Sequence, residues 1–344
     1  AAAIEAALPF ENCVILSIRG SKSTAFAKKY SFQMLQAEAA LCRIRAMETG
    51  RSQNDYQPPA RETCRRARAL YRTALQTAAL KIHTDGKTLS GCWTDRPDMA
   101  PSELLMLVRE AVTRPDSRII KQTGRITVTR AHLEGREVII KRYDLDGPLE
   151  RIRYLFHPSR ARRFWAAAST LRKLGIPTPQ PLGFLERWER GIPASSCMIT
   201  AFVPGTDDAS HWLGWTSGTR PDDIKRALAK DLARAIVTLY RSGIYHRDTK
   251  TSNLLLEHPL DPERRNYLWL DLECAVCGVR PGRHQIIRNV VQVAGSLGKE
   301  ATCAERELII REFAAWFPWL MDRQALRHIH CWTDRRMHKE RRCC

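Results

Sequence analysis

Nowhere does the chain carry the run of about 18 consecutive apolar residues that a membrane span requires. Its 44% hydrophobic content is therefore available for a folded core. Acidic side chains are also scarce, 37 against 56 basic ones in 344 residues, for a formal net charge of +19. Such a field draws in polyanions: nucleic acid, an anionic membrane surface or a phosphorylated substrate. A regular cysteine framework is missing too. The eleven cysteines are odd in number and irregular in spacing, which excludes the stapled architecture of small secreted domains and leads us to expect a reduced, cytoplasmic chain. Residues Ala1–Ser17 lean apolar but contain Glu5 and Glu11 and have no basic leader, so a signal peptide is not expected there. No internal repeat or low-complexity tract is visible.

The basic excess is clustered. Between Arg151 and Lys173 lie Arg151, Arg153, Arg160, Arg162, Arg163, Arg172 and Lys173 without one acidic residue. A second cluster runs from Arg323 through Arg335, Arg336, Lys339, Arg341 and Arg342, and reads as a solvated, frayed basic tail over residues 321–344. Residues 1–115 carry no motif of chemistry. Ala25–Met47 and Arg61–Ile82 have helical periodicity, so this part reads as a helical N-terminal extension.

From residue 116 the texture changes to a catalytic domain, with a small lobe to about 203 and a large lobe from about 204 to 320. Arg118–Gly124, Ile126–Thr129 and Val138–Lys141 are short β-branched runs separated by glycine turns, as in an antiparallel meander. A helix is expected over Arg160–Leu174, a strand over Cys197–Val203, and an amphipathic helix over Asp222–Arg241. Strand-like runs at Leu254–Leu256 and Tyr267–Leu270 precede helices near Ile286–Leu297 and Glu305–Trp316. Sheet first and helices later is an α+β, bilobal layout.

The informative residues follow the amphipathic helix: His246, Arg247, Asp248, Thr249, Lys250, Thr251, Ser252 and Asn253. Asp271 lies downstream at the end of a hydrophobic run, and Lys141 ends a Val-Ile-Ile-Lys strand upstream. Phosphoryl transfer needs a cation on the donor phosphates, oxygen ligands for Mg²⁺, and a carboxylate to orient the acceptor hydroxyl. Each role has an occupant here, and the eight-residue loop is far more specific than a lone aspartate.

With these motifs the chain resembles the protein-kinase-like superfamily, and within it the lipopolysaccharide core kinases that phosphorylate Kdo or heptose. The likeness spans residues 117 to about 315. It includes the Val138–Tyr143 strand, the segments Phe156–Ala161 and Leu174–Pro181, the His246 loop, Leu270–Glu273, and Arg288-Asn289 leading into Ser296-Leu297. It implies a bilobal protein-kinase-like fold using ATP and Mg²⁺. Lys141 would grip the donor phosphates, Asp248 would take or orient the acceptor proton, and Lys250 would neutralise the transferring phosphoryl. Asn253 and Asp271 would bind Mg²⁺. Gly124 would lie over the phosphates, and the Met198–Val203 strand, with Ala201 and Val203, would present backbone groups to adenine. The implied partners are a lipopolysaccharide precursor glycolipid as acceptor and the anionic inner-membrane surface, met peripherally on its cytoplasmic face. Nucleic acid is not expected.

Three features depart from the family pattern. Gly124 is the one glycine of the phosphate-covering turn, no Glu lies between Arg151 and Leu185 to pair with the strand lysine, and Asp271 is followed by Leu-Glu. Two other functions stay open at this point: a Ser/Thr protein kinase, favoured by Lys250, or a catalytically weak kinase-fold protein that binds anionic membrane or nucleic acid. The lone Cys274-Ala-Val-Cys277 spacing is read as packing, because no second Cys/His pair accompanies it. Trp188, Trp212, Trp215 and Trp269 are read as core or interface residues.

Overall fold

A computed structural model describes residues 56–76, 79–84, 87–145, 147–209, 222–297 and 301–342. Its small lobe is one antiparallel sheet of seven strands: β1 (Leu80–Thr84), β2 (Lys87–Trp93), β3 (Arg118–Thr123), β4 (Ile126–Leu133), β5 (Arg136–Asp144), β6 (Pro181–Glu189) and β7 (Ile192–Ala201). They are ordered β1-β2-β6-β7-β5-β4-β3. Helix α1 (Arg61–Leu75) comes before the sheet, and α2 (Pro101–Thr113) lies across one face of it. There Trp93, Leu104, Val108, Val138, Ile140 and Ile199 form a buried apolar cluster. On β5, Val138 and Ile140 point to that cluster, so alternation sends Lys141 and Tyr143 to the opposite face. A short α3 (Pro148–Leu155) leads into α4 (Arg160–Lys173), which packs on β6 and β7.

The large lobe begins with the two-residue β8 (Asp207–Asp208) and α5 (Asp222–Arg241). Leu228, Leu232, Ile236 and Leu239 of α5 recur at helical spacing and are all buried. Gly243, at φ +74°, ends the helix. β9 (Ile244–His246) then enters the motif-rich loop, followed by β10 (Leu254–Glu257), β11 (Asn266–Trp269) and β12 (Ala275–Cys277). β9 and β12 pair as a small antiparallel ribbon. Helices α6 (Arg283–Gly295), α7 (Cys303–Ala314) and α8 (Arg323–Arg342) complete the lobe. The whole is a two-lobed α+β architecture. Among the described residues no helix is long and apolar enough to cross a membrane.

Two expectations need correction. The helix expected over Arg61–Ile82 stops at Leu75, and Leu80–Trp93 is a hairpin that widens the sheet. Its strand β2 pairs with β6 along Lys87–Trp93, so residues 80–93 are not a helical extension. The local pattern misled because Gly91 and Cys92 break the alternation, while Gly91 is required by contact: a Cβ there would meet Leu185 Cδ2 at 2.6 Å. Within the basic C-terminal stretch, Arg323–Arg342 is a helix rather than a frayed tail. Ala325, Leu326, Ile329 and Thr333 of α8 are buried, and the helix packs on α6. The helix expected over Ala25–Met47 and the residues Trp212 and Trp215 lie outside the described residues.

Candidate active site

Lys141 reaches from β5 into the seam between the lobes. Its Nζ donates to Asp271 Oδ1 at 2.5 Å and to Glu273 Oε1 at 3.2 Å. Tyr143, two residues along the same face, donates its hydroxyl to the same Glu273 oxygen at 2.9 Å. Burial pulls the Lys141 pKa down, but the carboxylates of Glu273 and Asp271 outweigh it, and the net shift is upward. The ammonium therefore stays charged. Burial, reinforced by Glu273, lifts the Tyr143 hydroxyl well above its ordinary value, so it remains a donor. Glu273 thus fills the position left open by the missing helix glutamate. Nothing in its local sequence pairs it with Lys141, 132 residues earlier.

The second cluster is the loop after β9. Asn253 Nδ2 donates to the Asp248 carbonyl at 2.7 Å and to Asp248 Oδ2 at 3.2 Å. Lys250 Nζ lies 3.2 Å from the same Oδ2. His246 ties the two clusters together: its Nε2 donates to the Asp271 carbonyl at 3.1 Å, and its Nδ1 accepts from the Asp248 N–H at 3.3 Å. Those two bonds specify a neutral imidazole with its proton on Nε2, and burial holds the His246 pKa below its usual value. The Leu270 N–H also donates to the Asn253 carbonyl at 2.9 Å.

Behind the loop, α6 supplies a buried polar scaffold. Asn289 donates to the His246 carbonyl at 3.0 Å and accepts from Tyr240 Oη at 2.6 Å. Gln292 accepts from the Thr249 N–H and donates to the Arg247 carbonyl. Ser296 accepts from the Thr251 N–H. These contacts give physical content to Asn289 and Ser296, which the sequence marks only by resemblance.

Exposure separates the groups. The side chains of Lys141 and Glu273 are 8% and 9% exposed, whereas Asp271 and Asp248 are 40% and 33% exposed. The first pair is internal, and the two aspartates are open to a solute. Asp271 also has a left-handed backbone, φ 51° and ψ 39°, a conformation that a non-glycine residue keeps only when its surroundings over-determine it.

The remaining expected positions lie at the edges of the seam. Gly124, at φ +54°, occupies the β3–β4 turn, where the left-handed backbone suits a glycine. At the end of β7 the Ala201 N–H donates to the Gln180 carbonyl and the Phe202 N–H to the Glu137 carbonyl. The Val203 carbonyl accepts from Thr206 Oγ1. The Ala201 N–H is therefore not available to adenine. In the Cys-x-x-Cys segment, burial raises the Cys274 thiol and pushes Cys277 up to about 12, which disfavours the thiolate that metal binding needs.

The sequence model described as "Lipopolysaccharide kinase (Kdo/WaaP) family" matches residues 109–309, more than half of the chain. The chain belongs to this family. A lipopolysaccharide core heptose(I) kinase WaaP from Pseudomonas aeruginosa is 29% identical over 97 residues, covering 28% of this chain and 36% of that protein. The chain thus spans about a third of the length of that curated relative. A solved structure titled "WaaP in complex with acyl carrier protein" is similar with a TM-score of 0.48 and 20% identity, over 64% of this chain and 88% of that one. The Kdo/WaaP match contains Lys141, the His246 loop, Asp271 and Glu273, together with all of α6, while α1 and the β1–β2 hairpin precede it.

Proposed function

We propose that this chain is an ATP- and Mg²⁺-dependent phosphotransferase whose acceptor is a Kdo or heptose sugar of the lipopolysaccharide inner core. The observation that carries the reading is the meeting of Lys141 with Asp271 and Glu273, beside a loop in which Asp248, Lys250 and Asn253 converge. The donor set is of hard oxygens, which fits Mg²⁺. Asp271 offers a carboxylate, and Asn253, with its Nδ2 engaged by Asp248, offers Oδ1. These two residues would hold the ion, which supplies charge neutralisation on the donor phosphates.

Lys141 remains protonated and binds donor phosphate oxygens. Lys250 and Asn253 occupy Asp248 Oδ2, which leaves Oδ1 to accept the proton of the acceptor hydroxyl. Lys250 is then placed to meet charge on the transferring group. Contact with an anionic inner-membrane surface, on its cytoplasmic side, is supported by the net charge of +19 and by the exposed apolar side chains Ile152, Leu155 and Phe156 at the end of α3.

The Ser/Thr protein-kinase reading retains one favourable observation, Lys250 at 3.2 Å from Asp248. Against it, only residues 272–282 separate Asp271 from α6, too few for a standard activation loop. Labelled ATP offered with Kdo-lipid A, heptosylated core and a generic protein tests the choice. Label is expected on a Kdo- or heptose-containing acceptor and absent with Asp248→Ala. Faster labelling of the protein would reverse the order of the two readings.

A further inference from the structure

The family match begins at residue 109, yet α1, which precedes it, touches both lobes. Cys64, Ala67, Arg68, Tyr71 and Ala74 recur at spacings of three and four and so share one face of α1. The small residues among them let α1 lie against α4, whose Ala161, Ala166, Ala167 and Ala168 are fully buried. At the small-lobe end, the Leu75 carbonyl accepts from Arg162 Nη1 at 3.4 Å. At the large-lobe end, Tyr56 packs on Phe317 with ring centroids 4.6 Å apart. Tyr71 lies between: burial pushes its hydroxyl up to about 12, with Cys277 of β12 adding to the shift and Arg163 of α4 opposing it.

In its middle, α1 crosses the end of the β9–β12 ribbon. Arg68 Nη2 donates to the Gly278 carbonyl at 2.7 Å, and Cys64 Sγ lies 3.6 Å from the Val279 carbonyl. Gly243 and Gly278 have φ of +74° and +81°. A Cβ on Gly278 would meet Arg68 Cβ at 2.5 Å, and one on Gly243 would meet Cys64 Cα at 3.1 Å. Both glycines are therefore needed twice, for their left-handed backbone and for the helix lying on them.

That end of the ribbon stands directly behind the site. The Gly278 and Val279 N–H groups both donate to the Gly243 carbonyl, at 2.8 and 3.0 Å. β12 then pairs Cys277 with Ile244 and Ala275 with His246. Beyond it, the Arg247 N–H donates to the Cys274 carbonyl, and the Cys274 N–H to the Asp271 carbonyl. An unbroken series of backbone bonds thus runs from Gly278 to the left-handed Asp271.

We propose that α1 is an interlobe strap and that Arg68 is a positioning residue: by holding the Gly278 carbonyl it fixes the β9–β12 ribbon, and through it the Asp271–Glu273 segment beneath Lys141. The strap stands on geometry alone, whereas its consequence for catalysis rests on the phosphotransferase reading.

Arg68→Met keeps an unbranched stem over Gly278 and comparable helix propensity but removes the donor, while Arg68→Lys retains one. In the full chain, Arg68→Met should speed amide hydrogen exchange over residues 274–279 by about two- to tenfold, the scale of one lost hydrogen bond. It should raise by a similar factor the Mg²⁺ concentration that half-saturates binding of a fluorescent ATP analogue, with metal-free affinity unchanged. Arg68→Lys should regain part of both. Wild-type exchange over 274–279 in Arg68→Met overturns the strap, whatever the nucleotide data show. Faster exchange with an unchanged Mg²⁺ dependence makes Arg68 structural only and overturns its positioning role. A wild-type chain that binds no Mg·ATP overturns the phosphotransferase reading and the positioning role with it, while the exchange measurement still decides the strap.

Discussion

The small-lobe core and the seam between the lobes are built from opposite materials. Beneath α2, Trp93, Leu104, Val108, Val138, Ile140 and Ile199 interlock with no polar partner among them except the Trp93 indole, which donates to Glu134 at 3.1 Å. Beneath the His246 loop, the interior is polar: Asn289, Gln292, His246 and Thr249 are buried and hydrogen-bonded to backbone. An apolar core tolerates small shifts and contributes stability in proportion to the area it hides. A satisfied polar network fixes directions, because each donor must meet its acceptor, and it is costly when one member is lost. The seam is therefore where position is specified, and the sheet is where stability is concentrated.

The largest expected effect tests the seam. Asp271→Ala should lower Mg²⁺-dependent turnover by a factor on the order of 10³ or more, since it removes the carboxylate assigned to the metal. Its thermal midpoint should move little, because the Asp271 side chain is 40% exposed and Lys141 keeps Glu273. Initial rates and a melting curve check both halves, and wild-type turnover would sink the assignment.

The opposite change sharpens the contrast. Trp93→Ala, at a side chain 2% exposed, should cost about 3–5 kcal/mol in urea unfolding, while the molecules that remain folded bind nucleotide normally. A loss of nucleotide affinity in that folded fraction would show that the two regions are not separable.

Asn289→Ala lies between these extremes. It strands Tyr240 Oη in a buried setting and leaves the His246 carbonyl with Thr249 Oγ1 as its remaining side-chain donor, so a cost of about 1–3 kcal/mol is expected. Turnover should fall more than ATP affinity does, since the loop carrying Asp248 loses its support. Equal losses in both would mean that Asn289 does no more than stabilise.

The smallest effect concerns pH. Burial lowers the His246 pKa, so the unfolded chain binds a proton near pH 6.5 that the folded chain refuses. The contribution of His246 is fully present above about pH 6.5 and declines as the pH falls below it. Unfolding measured between pH 7 and 5 should show that decline, and His246→Gln should flatten it. An unchanged slope in the variant would place the titration elsewhere.

Much of this was legible in the residues themselves. The helix Asp222–Arg241 and the meander of Arg118–Gly124, Ile126–Thr129 and Val138–Lys141 follow from periodicity, and motif spacing singles out Lys141, Asp248, Asn253 and Asp271. The Kdo/WaaP match covers that same stretch. Three things were not legible. Glu273 could not be assigned to Lys141, because the two are brought together only when β5 is laid over the segment after β11. Arg162 sits in a basic cluster that reads as a surface for anions, yet its guanidinium turns inward to Glu186 at 2.7 Å and to Ser90 at 3.3 Å. The hairpin Leu80–Trp93 has weak local alternation and becomes sheet through its pairing with β6.

Local sequence determines what repeats within a few residues: helix faces, turn glycines, and the composition of a loop whose chemistry lies in its own eight positions. It also determined the charge excess and the oxygen-rich set of candidate ligands. Tertiary structure decided which distant groups meet, namely Lys141 with Glu273, Arg162 with Glu186, and α1 with Gly243 and Gly278. The reason is physical. A buried charge must find its counter-charge wherever the fold brings one within reach, and a glycine can be required by a helix some two hundred residues earlier in the chain, a contact no local pattern encodes.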